Sequence, residues 1–370
     1  MWEKKYTLFT DVKKKLHILS LLLAITVAPW LTSCHDSPDY KDDVYGNFDA
    51  LVDIVDSRYC FFEEKDIDWR ATAASYRKLI SPETNFVELF FICSALLDEL
   101  RDGHVNLSSR FDTSYYRAWW TDYPQDFNLR TLEEYYLKFD WLTTNGIMYT
   151  QFENKVGYIY YPSFSYMIGD TSLDYILAIL SRSRGLIIDI RNNGGGALTN
   201  IDTLLGRFIK EKITGGYLIH KTGPGHSDFS EPYPMEYKPA EEGRVMWDGP
   251  IALLTNRSCF SAANDFVSVM KNLPNVTVIG AKTGGGGGMP FSSELPNGWA
   301  IRFSACPTLN ADMEHIENGV EPSPGCEVHS PDEELAKGKD AILDFAIEMM
   351  MKYPAPDDNE NEDGTGKAGL

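Results

Sequence analysis

Residues 255–270, TNRSCFSAANDFVSVM, follow a short apolar run at 251–254 and open a helix-like run at 262–271. A serine between a buried strand and a helix stands in the field of the helix's positive end, beside N–H groups with no partner inside the helix. Ser261 is followed by Ala262 and Ala263, small enough to let another backbone approach. Two readings fit: Ser258 or Ser261 is an ordinary N-cap, or Ser261 is a nucleophile. Cys259, two residues earlier, is a rival nucleophile as the thiolate, although the Ser-Ala-Ala context favours Ser261.

Two further stretches bear on that choice. Residues 185–196, GLIIDIRNNGGG, read as a buried strand opening into a glycine turn. Such a turn can aim N–H groups at one point, as an oxyanion requires, while Asp189 and Arg191 pair to brace it. Residues 101–105, RDGHV, follow an apolar helical run at 86–100. Gly103 is expected to stop that helix. His104 then sits on a rigid edge, as a structural histidine or as the general base for a distant serine.

Around these motifs, residues 155–350 alternate strand-like runs (156–161, 185–190, 251–254, 276–279) with helix-like ones (173–181, 201–209, 262–271, 340–352). That alternation predicts an α/β core with a largely parallel sheet. Residues 215–248 lack a period and read as a β-excursion or substrate loop, whose His220 and His226 are rival bases to His104. Upstream, 46–107 reads as a three-helix cap, with Leu51, Ile54 and Val55 on one face, then Trp69, Tyr76 and Leu79, then a third helix starting at Ser81-Pro82. Tyr59, Phe61 and Phe62 read as core, or as the lining of a substrate entrance. Residues 108–152 form a Tyr- and Trp-rich connecting segment, read as strands or a hairpin over the site, and 153–353 hold the core.

The order DGH, DxRxNxGG, a serine before Ala-Ala, and GVEP at 319–322 resembles the serine peptidase family of C-terminal processing (tail-specific) peptidases and tricorn protease. The resemblance spans roughly residues 46–350. It implies a crotonase-like α/β core, hydrolysis of peptide or protein substrates and no cofactor. It matches Ser261 to the nucleophile, and Gly195 with Ala262 to the oxyanion donors. Ser-Lys members carry their lysine in a turn that corresponds to 283–288, TGGGGG, where Gly286 takes the aligned position. Tricorn-like members use an early histidine and a glutamate near the GV-P turn, and His104 and Glu317 stand in those places. Gly103 replaces the serine that tricorn carries beside its histidine, and Glu321 is an alternative to Glu317. The interval 108–152 is too short for the PDZ module of processing peptidases. Lys282 reads as a solvated lysine. The same fold family also includes retinoid carriers, so the alternative is a non-catalytic binding protein for an apolar ligand or peptide.

Lys13, Lys14 and Lys15 precede an apolar run at 16–31, so residues 1–33 read as a targeting segment. Leu31-Thr32-Ser33-Cys34 resembles a bacterial lipobox, which implies a lipid on Cys34 and a place in the cell envelope. Residues 34–45 read as an acidic tether and 354–370 as a disordered acidic tail. With 34 Lys and Arg against 54 Asp and Glu, the net charge of −20 argues against a nucleic-acid partner. No cysteine or histidine spacing suits a metal. Cys60 and Cys93 read either as packed thiols or as a disulfide.

Overall fold

The computed structural model describes residues 39–356. The targeting segment, Cys34 and the last residues of the acidic tail lie outside the described residues. The described residues from Asp42 onward pack as one compact unit.

The cap consists of α1 (Val44–Arg58), α2 (Trp69–Arg77) and α3 (Phe86–Asp98), each begun by a side chain that satisfies free N–H groups. Asp43 and Asp68 cap the first two. Asn85 and Glu88 form a reciprocal capping box on the third. That box starts α3 at Phe86, whereas the expected start, Ser81-Pro82, forms a turn closed by the Thr84 N–H on the Ser81 carbonyl. The end also differs from expectation. The chain reverses at Arg101, in the left-handed region with φ 50, two residues before Gly103. Tyr59, Phe61 and Phe62 pack in the interior, while Leu79 stays exposed.

Besides short helical turns at Ala118–Thr121, Leu129–Thr131, Leu132–Tyr136 and Asp332–Leu335, the first three in the segment expected to form strands or a hairpin, the remaining elements in chain order are β1 (Asn106–Ser108), β2 (Leu142–Thr144), β3 (Ile147–Gln151), β4 (Val156–Tyr160), α4 (Asp170–Leu180), β5 (Gly185–Asp189), α5 (Thr199–Leu205), β6 (Ile213–Leu218), β7 (Tyr233–Tyr237), β8 (Ile251–Thr255), α6 (Ala262–Met270), β9 (Val276–Gly280), β10 (Gly288–Glu294), β11 (Ala300–Leu309) and α7 (Ala341–Met350). A six-stranded sheet runs β2-β3-β4-β5-β8-β9. Its β4-β5-β8-β9 block is parallel, as the alternation predicts. The β2–β3 hairpin pairs antiparallel on β4, so it extends the core sheet and does not cross the site. Every residue of β4, β5 and β8 is buried, because both sheet faces are covered. Ile188 and Leu253 pack toward α4, α5 and α6, while their neighbours Ile187 and Leu254 pack toward α7.

A second sheet is wholly antiparallel, with β1, β6 and β10 paired on β11 and β7 on β6. Sequence reading caught only its β6–β7 excursion. β10 and β11 carry Pro290 and Pro307 and a bulge at Met289/Pro290, which hide the period of two. The largely parallel expectation therefore holds for one block of one sheet. Because β1 follows the cap and pairs with β11, cap and core share this second sheet.

Candidate active site

Parallel β5 and β8 are neighbours, so the chain leaves both at the same carboxyl edge of the sheet. The two departing loops are locked together. Asn256 accepts from the Asn192 N–H at 2.9 Å and donates to the Asn192 side chain at 2.7 Å, while the Phe260 N–H donates to the Asn193 carbonyl. Beneath them Arg191, fully buried, reaches Asp189 at 2.6 Å and Asp340 at 2.8 Å. The brace expected between Asp189 and Arg191 thus gains a third member from the start of α7.

Ser261 caps α6 in position only. Its hydroxyl makes no capping hydrogen bond, and its backbone lies at φ 56, ψ −127, a conformation costly for a residue with a Cβ. The Ser261 N–H donates to the Gly285 carbonyl, which fixes this turn. Oγ instead meets His104 Nε2 at 3.1 Å. The Ala262 N–H, first in α6, has no hydrogen-bond partner among the described residues. Gly195 lies against the same point, a Cβ built on it falling 2.8 Å from Ser261 Cβ and 3.0 Å from the Ala262 nitrogen. Its own N–H, however, donates to Asn193 Oδ1 at 3.0 Å. Ala262 is therefore the open donor, and Gly195 is engaged within its turn.

Behind the imidazole lies a buried charge cluster. Asp102 accepts from the His104 backbone N–H at 2.8 Å. Lys65, from the loop between α1 and α2, sits 2.7 Å from Glu317 Oε1 and 3.8 Å from Asp102 Oδ2. His104 Nδ1, Asp102 Oδ2, Ser304 Oγ and Glu317 Oε2 are all buried without hydrogen-bond partners. Burial pushes the His104 pKa down to about 4, against a weaker upward pull from Asp102, so the imidazole is neutral at neutral pH. Burial raises Asp102 too, but Lys65 and His104 outweigh it and hold that carboxylate below its usual range. Glu317 is pushed up to about 8 by burial and then by Asp102, with Lys65 opposing. The two carboxyls keep Lys65 charged against its own burial. One cation and two carboxyls are thus balanced at neutral pH by a proton held on Glu317.

Glu317 and Glu321 part company here: Glu317 is 7 % exposed, whereas Glu321 faces outward and pairs with Lys282 at 2.8 Å. The glycine run at 283–288 is a matter of clearance. At Gly285, φ 85, an added Cβ would fall 1.8 Å from the Glu317 carbonyl; at Gly286, φ 79, it would strike the Phe260 ring. Phe260 is sandwiched between Trp119 and the His104 ring, at centroid distances of 4.2 and 4.7 Å. A Cβ at Gly103 would meet the same two aromatic rings, Trp119 and Phe260.

The rivals lie elsewhere. His226 pairs with Asp56 and stacks on Phe62, and His220 stacks on Tyr233. Cys259 is buried, donates to the Ile190 carbonyl, and has its pKa raised by burial to about 12, so it is no thiolate. Cys60 and Cys93 are free buried thiols, like the other described cysteines. Among the described residues no group of three or more His, Cys, Asp or Glu is placed to hold a metal ion. Sequence reading missed Lys65 and the charge of Asp102. Asp102 stood inside the quoted RDGHV, but Lys65 lies in a loop that carries no motif.

Residues 155–323 match Peptidase family S41, and residues 40–97 match the tricorn protease C1 domain. A crystal structure from Parabacteroides merdae ATCC 43184, described as that of a provisionally assigned peptidase, is 44% identical with a TM-score of 0.80, over 84% of this chain and 97% of that one. The chain belongs to peptidase family S41. Among curated relatives, the carboxy-terminal processing protease CtpA of Bacillus subtilis (strain 168) is 27% identical over 172 residues, 46% of this chain and 34% of CtpA. A tricorn-like protease C-terminal subunit, provisionally assigned, of Sulfurisphaera tokodaii is 27% identical over 205 residues, 54% of this chain and 21% of that protein. The chain therefore spans between a fifth and about a third of the length of these curated relatives.

Proposed function

We propose that this protein is a serine endopeptidase, held at a membrane surface by lipid on Cys34, that opens peptide bonds through an acyl-enzyme on Ser261. The observation that carries the reading is the 3.1 Å approach of His104 Nε2 to a serine hydroxyl that caps nothing. Membership of peptidase family S41 supports it. In the neutral imidazole, Nδ1 carries the proton and Nε2 accepts one from Ser261 Oγ. The alkoxide attacks the substrate carbonyl carbon, and the Ala262 N–H receives the developing oxyanion. Gly195 joins as a second donor once its N–H turns from Asn193. The imidazolium returns its proton to the leaving amine, and water, deprotonated by the same Nε2, releases the acyl group. Asp102 offsets the charge that His104 gains, and Lys65, held by Glu317, sets how strongly it does so.

Support for anchoring comes from the sequence around residues 13–34. No helix among the described residues is long and apolar enough to cross a membrane. Two experiments test the reading. Ser261→Ala should remove hydrolysis by about three decades or more with folding retained, and an activated phosphonate should add its mass to Ser261 alone. Unchanged turnover in that variant would end the proposal. Cys34→Ala should abolish detergent-phase partitioning of the mature chain, since each acyl CH2 contributes about 0.8 kcal/mol to membrane affinity. Partitioning that survives the substitution would remove the anchor and leave the peptidase intact.

A further inference from the structure

A cavity of about 380 Å3 opens beside Ser261 and runs between α5, α6 and the second sheet. Leu218, Met235 and Met289 give it an apolar wall suited to a long unbranched stem. Asp265 lines it from α6, with its N–H bonded to the Ser261 carbonyl, one helical turn beyond the nucleophile and on the same helix face. Asp265 as a whole is only 8 % exposed. Its Oδ1 has no hydrogen-bond partner, and neither oxygen meets a cation among the described residues. A buried carboxyl left unpaired is costly, and such groups persist where something is to be bound.

The other charges of the cavity are unevenly placed. Glu236, on β7, is paired with Lys212 at 2.6 Å. Asp202, on α5, lines the same cavity and, like Asp265, acts on the Tyr237 phenol. Arg302, on β11, belongs to the other end, where its charge acts on His104 and pairs electrostatically with Asp102. The cavity is thus cationic toward the imidazole and anionic toward Asp265.

We infer that this cavity receives the substrate side chain on the acyl side of the scissile bond, and that Asp265 is the specificity-determining residue, selecting a long cationic side chain, lysine or arginine. The inference rests on the peptidase reading of Ser261. The stem lies along the methionines and leucine, and the ammonium or guanidinium pairs with the carboxylate left open beneath it. Rejection follows by the same physics: an uncharged stem of equal length leaves Asp265 as unsatisfied as before, and a site built around such a group discriminates strongly. Burial pushes the Asp265 pKa up to about 7, so the selecting anion is present above that pH and is protonated away below it.

The test uses two peptidyl phosphonates that differ only in a lysine-like or norleucine side chain at the reacting position, with Ser261 labelling followed by mass spectrometry from pH 5.5 to 8.5. Above pH 8 the cationic probe should label faster by roughly 10–100-fold, and the ratio should shrink as pH falls through about 7. Asp265→Asn, nearly isosteric, should bring the ratio close to one at every pH. A wild-type preference for norleucine, or a ratio that Asp265→Asn leaves intact, would overturn the assignment while leaving the nucleophile standing. Failure of both probes to label Ser261 would overturn the peptidase reading and the pocket with it.

Discussion

The His104 imidazole carries a pH signature that sequence alone sets wrongly. An ordinary histidine would give an activity limb near its usual value of about 6.5, whereas burial has lowered this one to about 4. Since the base must be neutral, kcat/KM for a substrate whose acyl-side residue is uncharged should rise with pH through roughly 4 and be flat by 6.5; a limb centred at 6.5 with that substrate would mean that the ring is solvated. Lys65→Met should lift that limb, because it removes a neighbouring cation and leaves Asp102 to stabilise the imidazolium. It should also cost about 3–5 kcal/mol in urea unfolding, as a buried pair broken on one side does. Ser261 stores backbone strain that alanine keeps and glycine relieves. Ser261→Gly should therefore unfold at higher denaturant than Ser261→Ala, by about 1 kcal/mol, although both are inactive. Ser261, His104 and Glu317 were legible because each sits in a short motif. Lys65 was not, because its meaning comes entirely from contacts 37 residues away at Asp102 and 252 away at Glu317.

At the scale of elements, the parallel strands were legible from continuous apolar runs, and their boundaries came out within a residue or two. The second sheet was not, since its strands are stitched from distant segments and broken by proline. The glycine run shows the same limit: it reads as flexible in sequence, yet it is where two loops pass at backbone contact. Gly286→Lys, which places a lysine at the position used by Ser-Lys members, should not rescue His104→Ala. It should also lower stability by at least ~1–2 kcal/mol, because the backbone is left-handed there and the Phe260 ring fills the space. Thermal melts together with turnover separate those two effects. Arg191→Met should be worse, near 3–5 kcal/mol, because it strands Asp189 and Asp340 in the interior.

For the whole molecule, two buried groups bound the stability optimum from opposite sides. His104 has a folded pKa below its unfolded value, so its contribution is complete above about 6.5 and lost as pH falls through about 4. Glu317 has a raised one, so its contribution is complete below about 4.5 and lost as pH climbs through about 8. The melting temperature should therefore peak on the mildly acidic side of neutrality and decline toward pH 9. An optimum above pH 8 would contradict this. The base and the nucleophile also belong to different sheets, and the strand that holds the His104 segment in register is β11, paired at Ala300, Ile301 and Arg302. During vectorial synthesis the histidine emerges some two hundred residues before that partner. A growing chain thus carries its base for about two hundred residues, and its serine for about forty, before the strand that joins them has emerged, so the last sheet to close delays assembly of the catalytic pair until most of the chain has been made.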